Sequence, residues 1–263
     1  METLREAGAR DDAERSASSV EKALQVLDAI AEAGHSVGVS EVARRSGLPK
    51  STAFRLLAVL ESAGMLRRRG SKYEMGFRLL ELGNGARRVS AQRLHDIAMP
   101  ELVDLHVQTK QIVHLGVLVD TDVLYLEKIF GRNNPRSPSA VGARLPATCC
   151  GLGKALLAFS DEGTIRAALE RLPNERRTPY TFTQPRLFLD ELMSIRKSGV
   201  AFDREESAIG LTCIATPVLG ADGRPVGAVS LSGRTSAFDP AARVSSIRRT
   251  AQRISELLRA ETH

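Results

Sequence analysis

The chain has 263 residues, with 37 Lys and Arg against 31 Asp and Glu, for a formal charge of +6. That length holds two modest domains with separate cores, and no apolar run approaches the length of a membrane-spanning helix, so no membrane partner is expected. Three cysteines, two of them adjacent (Cys149 and Cys150), make no disulfide framework and fit a reducing cytoplasm.

The charge is local. Between Glu41 and Lys72 stand eight basic residues (Arg44, Arg45, Lys50, Arg55, Arg67, Arg68, Arg69 and Lys72) against two acids, Glu41 and Glu61, and the rest of the chain is neutral as a whole. Such an excess suits a surface that tracks phosphates, or a solvated basic face.

Residues 1–18 mix charges with small polar residues and have no apolar centre. They are expected to form a disordered tail and not a signal peptide. Val20, Ala23, Leu24, Leu27, Ile30 and Ala31 then recur every three or four residues, which predicts an amphipathic helix ending near Gly34. Ser40 is placed to N-cap a second, short helix with Val42 and Ala43 facing inward and Gly47 stopping it. Pro49 suits the first turn of a third helix. There Ala53, Leu56, Leu57 and Leu60 form one stripe, so Ser51 and Arg55 point away from it, flanked by Thr52 and Phe54.

Two short helices joined by a tight glycine turn are the pattern of a helix-turn-helix, whose second helix presents its N-terminal residues to the major groove. Hydroxyls and free N–H groups suit phosphates and base edges, and an arginine can grip guanine with two hydrogen bonds. After Gly64, "MLRRRGSKYEMG" predicts a basic hairpin with a Gly-Ser turn. Such a wing would lay Arg67, Arg68, Arg69 and Lys72 along a DNA backbone. Arg44, Lys50, Ser51, Thr52 and Arg55 complete the expected contacts to double-stranded DNA. The alternative is a three-helix packing domain with charged loops.

The segments "SVEKALQVLDAI", "VSEVARRSGLPKSTAFRLLAVLESAGML" and "YEMGFRLLELG" resemble the winged helix and linker of the IclR family of bacterial transcription regulators. The resemblance extends over roughly residues 19 to 260. It implies a winged helix-turn-helix domain at 19–76, a helical linker at 77–110 that helps pair two subunits, and a GAF-like effector-binding domain at 111–263.

The residues themselves support a helical, partly apolar 77–110, with Leu79, Leu80 and Leu82 in its first part. A longer helix runs from about Ala91 to Thr109, and Pro100 allows a break or kink. From Gln111 the period becomes strand-like. "QIVHLGVLVD" and "DVLYLEKIFG" predict a hairpin about Asp120-Thr121-Asp122. "GLGKALLAF", "DEGTIRAALERL" and "PRLFLDELMSIRKSG" read as helices. "VAFDREE", "LTCIATPVLG" and "RPVGAVSLSG" read as strands. A last helix, from about Pro240 to Thr262, carries Val244, Ile247, Ala251, Ile254 and Leu258 on one stripe. Paired strands with helices gathered around them predict an α+β fold on an antiparallel sheet.

Catalytic motifs fail in this second domain. "CCGLGKA" has Thr148 and Ala155 where a phosphate loop needs Gly and Ser or Thr. Ser230 and Ser232 lie outside any G-x-S-x-G. His35, His95, His106, His114 and His263 are scattered, none at metal-ligand spacing, and are read as surface or packed histidines. No cofactor and no metal are expected. Cys149, Cys150 and Cys213 can meet as thiolate ligands or a redox sensor, or be small buried side chains.

A binding pocket fits better. Gly151-Leu152-Gly153 opens a helix whose free N–H groups suit a carboxylate or carbonyl oxygen, although the glycines serve equally as a plain tight turn. Ser230 and Ser232 point to one face of a strand, as do Leu211 and Cys213 on the strand before it. If that face is inward, a ligand or water must satisfy the hydroxyls; an exposed polar face is the alternative. The family resemblance carries the effector site onto Gly151, Leu152, Asp203, Leu211, Cys213, Ser230 and Ser232, with Leu145 as an apolar wall. Cys150 departs from the family, which more often has a small Ser or Ala there.

The resulting expectation is a cytoplasmic, ligand-responsive regulator that acts as a homodimer or a dimer of dimers on a pseudo-palindromic operator. Its effector would be a small organic metabolite, expected to be a carboxylate. The rival is an enzyme or thiol-based redox sensor acting on a small acid.

Overall fold

The computed structural model describes residues 17–86, 91–131 and 139–260. Most of the expected N-terminal tail, His263 and the expected far end of the last helix lie outside the described residues. The chain divides into two compact units, Met1–Arg88 and Val89–His263.

In the N-terminal unit, helix α1 (Ser19–Ala33) starts with a capping box: Ser18 accepts from the Glu21 N–H, and the Glu21 carboxylate accepts from the Ser18 N–H. Gly34, in the left-handed conformation, ends it. A two-residue strand β1 (Val37–Gly38) leads into α2 (Val39–Ser46) and α3 (Lys50–Ser62). The hairpin β2 (Leu66–Arg69) and β3 (Lys72–Met75) follows, then α4 (Phe77–Ala86). The three strands form an antiparallel sheet in the order β1-β3-β2.

Ala53, Leu56, Leu57 and Leu60 are all buried, as their spacing predicts. Their core partners include Val26, Ile30, Val37, Val42, Leu66 and Tyr73. Three details differ from the sequence reading. Helix α1 buries Val26, Ala29 and Ile30, while Val20 and Leu24 are exposed at 69% and 54%. Its apolar residues form two adjoining stripes, and the packing partners select one. Ser40 does not cap α2: Gly38 stands at the N-cap, in extended conformation, and Ser40 is already helical. Strand β1 was hidden because two residues carry no periodicity.

The second unit begins with α5 (Ala91–Thr109), which continues through Pro100 without a break. Strands β4 (Ile112–Val119) and β5 (Asp122–Ile129) pair as the expected hairpin. A short strand β6 (Arg144–Pro146) and a 3-10 turn (Ala147–Cys149) precede α6 (Gly151–Leu157). Next come α7 (Glu162–Arg171) and α8 (Pro185–Ser198). Strands β7 (Ala201–Arg204), β8 (Leu211–Leu219) and β9 (Pro225–Arg234) and helix α9 (Val244–Ala260) complete the unit.

The six strands form one antiparallel sheet in the order β6-β5-β4-β9-β8-β7. One face is covered around α6, with Leu156, Leu157, Phe188 and Leu192 in its core. The other packs on α5 and α9, with Leu94, Leu102, Leu105, Ile247 and Ile254. With both faces covered, β8 is buried at eight successive positions, which is why it reads as an apolar run without alternation. The fold is thus α+β with a curled antiparallel sheet. Helix α5, taken from the sequence as part of the linker, belongs to the core of this unit. Among the described residues no helix is long and apolar enough to cross a membrane.

Candidate nucleic-acid interface and ligand cavity

The start of α3 carries its polar residues outward. Lys50, Ser51, Phe54 and Arg55 are exposed and Thr52 is half-buried, opposite the buried stripe. Lys50, Ser51 and Phe54 line an open groove with Gly38, Val39, Ser40, Glu41 and Ser71, so the helix start, the start of α2 and the wing turn share one surface. Here the fold converts a sequence window into a patch.

The basic residues of that patch are unequal. On α2, Arg44 donates to Glu41 through Nε (3.0 Å) and Nη2 (2.6 Å), and Arg45 Nε donates to the same carboxylate at 2.7 Å. These two hydrogen-bonded arginines pull the Glu41 carboxyl down to about 2. In the wing, Arg67 and Arg69 share Glu74 at 3.5 Å and 3.2 Å. Arg67 also lies over the Phe77 ring, and Arg68 lies over Tyr73 and donates to the Gly70 carbonyl. Lys50, Arg55 and Lys72 have no acidic partner among the described residues. Glu74 stands just past the window counted above, and only the β2–β3 register brings it to the arginines: Arg67 pairs with Glu74 directly.

In the second unit an enclosed cavity lies between the sheet and the start of α6. All eight expected effector residues (Leu145, Gly151, Leu152, Asp203, Leu211, Cys213, Ser230 and Ser232) line it. His114, Tyr125, Ser139, Cys150 and Ser207 line it as well. Its free space is about 20 Å³ for the centre of a water-sized sphere, room for about one water. The serines of β9 therefore face inward, and the exposed alternative falls: Ser230 and Ser232 are buried.

Of the two alternatives expected for His114, surface or packed, the packed one holds, and the ring is a buried wall of the cavity. On β4 it pairs in register with Ser230 on β9 and with Lys128 on β5. Its Nε2 shares a hydrogen bond with Ser139 Oγ (2.7 Å) and its Nδ1 with Ser230 Oγ (3.3 Å). Its ring meets Tyr125 edge-on, with centroids 5.3 Å apart. Burial, and secondarily the charge of Lys128, pushes its pKa down to about 3, so it is neutral.

Asp203, on β7, lines the same cavity. Its carboxylate accepts from the Glu206 N–H (2.7 Å) and from the Ser207 hydroxyl (2.7 Å). Burial raises its pKa against those bonds. Behind it, the fully buried Lys154 donates to Glu206 Oε1 (2.7 Å) and Glu191 Oε1 (3.1 Å). Burial opposes the lysine's charge, but the two carboxylates outweigh it and hold its pKa above the ordinary value. Burial likewise raises Glu206, whose Oε2 has no hydrogen-bond partner.

The glycines at the start of α6 are packing requirements. A Cβ on Gly153 would lie 2.1 Å from the Ala147 carbonyl oxygen, and one on Gly151 would lie 2.5 Å from Cys213 Sγ.

All three cysteines are buried free thiols. Burial pushes Cys150 up to about 12 and raises Cys149 and Cys213 as well. A thiol so rarely ionised at neutral pH is a poor nucleophile and a poor redox sensor. Among the described residues no group of three or more His, Cys, Asp or Glu is placed to hold a metal ion.

Comparison with known proteins covers both units. Residues 19–70 match the IclR helix-turn-helix domain, and residues 86–256 match the bacterial transcriptional regulator IclR C-terminal domain. The HTH-type transcriptional regulator XynR of Escherichia coli is 34% identical over 225 residues, 85% of this chain and 88% of its own length. The IclR protein of Thermotoga maritima superposes with a TM-score of 0.76 at 32% identity, over 91% of this chain and 98% of that one. An IclR homologue from Microbacterium hydrocarbonoxydans, solved in complex with 4-hydroxybenzoate, gives 0.82 at 27% identity, over 92% and 100%.

Proposed function

This chain belongs to the IclR family of DNA-binding transcriptional regulators, and from that premise we propose that it is switched by a small organic acid bound in the cavity beneath α6. The observation that carries this reading is the convergence of Asp203, Ser230, Ser232 and Ser207 on one enclosed space walled by Leu145, Leu152 and Leu211. A few polar groups in an apolar shell are what a small-molecule site requires. The 4-hydroxybenzoate held by the Microbacterium relative belongs to the class that such a site suits, a hydroxy acid with neutral polar surface and an apolar body. The Asp203 carboxylate disfavours a polyanion.

The cavity as it stands has room for about one water, so any acid must push its walls apart. That supplies the differential affinity a switch needs: the ligand favours the expanded arrangement over this one. The N-terminal unit reads the operator with the outward face of α3, Arg55 and Ser51 at the bases and the wing along the backbone. The family's mode of pairing implies a homodimer or a dimer of dimers, matched to a pseudo-palindromic operator in the cytoplasm.

The test replaces Ser230 and Ser232 together with alanine and titrates operator-bound protein with an effector found by thermal shift among small hydroxy and aromatic acids. Operator affinity without effector should stay at the wild-type value while the response disappears. An unchanged response at the same concentration would move the effector site elsewhere.

A further inference from the structure

The walls of the cavity carry a charge problem. An organic acid at neutral pH arrives as an anion, yet Asp203 is already there, buried, and no Lys or Arg is among the described lining residues. The nearest ammonium groups are committed. Lys154 lies behind Asp203 and is outnumbered by Glu206 and Glu191, and Lys128 Nζ is turned to the Ser139 carbonyl at 2.6 Å. A second uncompensated anion in an enclosed space beside Asp203 is strongly unfavourable.

We propose that a carboxylate entering this cavity brings one proton with it, taken up by His114, so that effector binding is coupled to proton uptake. This rests on reading the cavity as the effector site. The geometry suits a histidine that gains charge only with its ligand. As a neutral ring, His114 donates from one nitrogen and accepts at the other. Both nitrogens already face hydroxyl oxygens, Ser139 Oγ and Ser230 Oγ, and a hydroxyl can accept as well as donate. When the second nitrogen gains a proton from solvent it donates to the hydroxyl it formerly accepted from, and no hydrogen bond is lost. The hydroxyls are then turned to donate onward. Ser230, which lines the cavity, can give its O–H to the ligand carboxylate.

The groups facing the ring set the balance. Tyr125 meets it and Lys128 pairs with it from β5; across the same cavity lie Cys150 before α6, Cys213 on β8 and Asp203 on β7, and β9 presents the uncharged Ser230 and Ser232. Without a ligand, burial and Lys128 keep the ring neutral. A ligand anion adds the opposing charge that favours the imidazolium, and Asp203, the other group that could take the proton, is held as an acceptor at both oxygens by the Glu206 N–H and the Ser207 hydroxyl. Between the pKa of the empty site and the higher pKa of the filled one, the complex binds one proton more than its parts. Affinity for the acid should therefore fall about tenfold for each unit of rising pH in that window.

The experiment compares 4-hydroxybenzoate with its uncharged analogue 4-hydroxybenzamide on the full-length protein. Calorimetric titrations at pH 6, 7 and 8, each in two buffers of different ionisation enthalpy, read both affinity and protons exchanged. The expected result is net proton uptake, up to one per benzoate, with affinity falling by up to tenfold per unit of rising pH, and no uptake and a flat profile for the benzamide. In the His114→Gln variant, checked for a wild-type fold by circular dichroism, proton uptake should vanish. Benzoate binding with no uptake in the wild type, or uptake that persists in His114→Gln, overturns the proposal while leaving the site in place. If neither compound binds at millimolar concentration, the reading of the cavity as an aromatic-acid site fails, and the proposal falls with it.

Discussion

The two units place their candidate functional residues differently with respect to their cores. In the N-terminal unit Arg55 and Ser51 stand on the solvent side of a helix whose other side is the core. In the C-terminal unit Ser230, Ser232, Asp203 and His114 are themselves interior, each under 5% exposed. A surface site can change without touching stability. An interior site is also part of the packing, so recognition and folding there are one energetic problem. Substitutions should expose that difference, and the largest effects belong to the interior.

Lys154→Met is the strongest break. It removes the cation paired with buried Glu206 and half-buried Glu191 and leaves those carboxylates uncompensated near Asp203. Removing one partner of a buried ion pair costs about 3–5 kcal/mol. Thermal denaturation should show the second unit losing stability by that order. A loss under about 1 kcal/mol would mean that the carboxylates simply take up protons or reach water.

Arg55→Ala should do the reverse. Denaturation should be unchanged, while operator affinity falls by about 1–3 kcal/mol at particular base positions. Wild-type affinity in this variant would remove α3's outward face from the interface. A change in melting temperature would blur the division between the two units.

What the sequence made legible follows the same division. The stripe Ala53, Leu56, Leu57 and Leu60 was readable because one helix buries one face, and a period of 3.6 residues records that directly. The inward pairing of Ser230 with Ser232 was readable only as a shared face, since β9 is covered on both sides and burial leaves no alternation. His114 was invisible. Its partners Ser139 and Ser230 lie 25 and 116 residues away, and only the β4–β9 pairing brings them together. Spacing put Ser230 with Ser232, Leu211 with Cys213, and Gly151 and Leu152 at a helix start; the family resemblance joined these into one site and added Asp203 and Leu145. In α1 the pattern misled, because two adjoining apolar stripes satisfy the same period and the sequence does not say which one a neighbour will cover.

A third test uses pH. Unfolded, the His114 imidazole titrates at its ordinary 6.5; folded, near 3. Between those values the unfolded chain binds more protons, so stability falls as pH drops through the window, by up to about 1.4 kcal/mol per unit. Asp203 and Glu206 act in the opposite sense, since burial raises their pKa values and the folded state takes up their protons first on acidification. The difference between wild type and His114→Gln isolates the histidine. The variant should lose less stability between pH 6.5 and pH 4.5. Parallel curves for the two proteins would mean that His114 gains its proton without unfolding.

The smallest effect is expected in the wing. Four basic residues would together steepen the dependence of affinity on salt by roughly 0.9 per phosphate neutralised. Glu74, however, lies 3.5 Å and 3.2 Å from Arg67 and Arg69, and its carboxylate competes with the DNA for both. These are partly exposed pairs, so breaking them costs little stability, at most about 1 kcal/mol. Glu74→Gln should then raise operator affinity modestly and steepen the salt dependence, because two arginines become available to the backbone. Lys72→Ala, which removes a cation with no acidic partner among the described residues, should flatten the dependence by about one contact. The pair of variants separates two pictures of the wing. If Glu74→Gln leaves the slope unchanged while Lys72→Ala flattens it, the arginines stay with Phe77 and Tyr73 and only the hairpin tip meets DNA. If neither changes it, the wing lies outside the interface and the basic excess there is a solvated face.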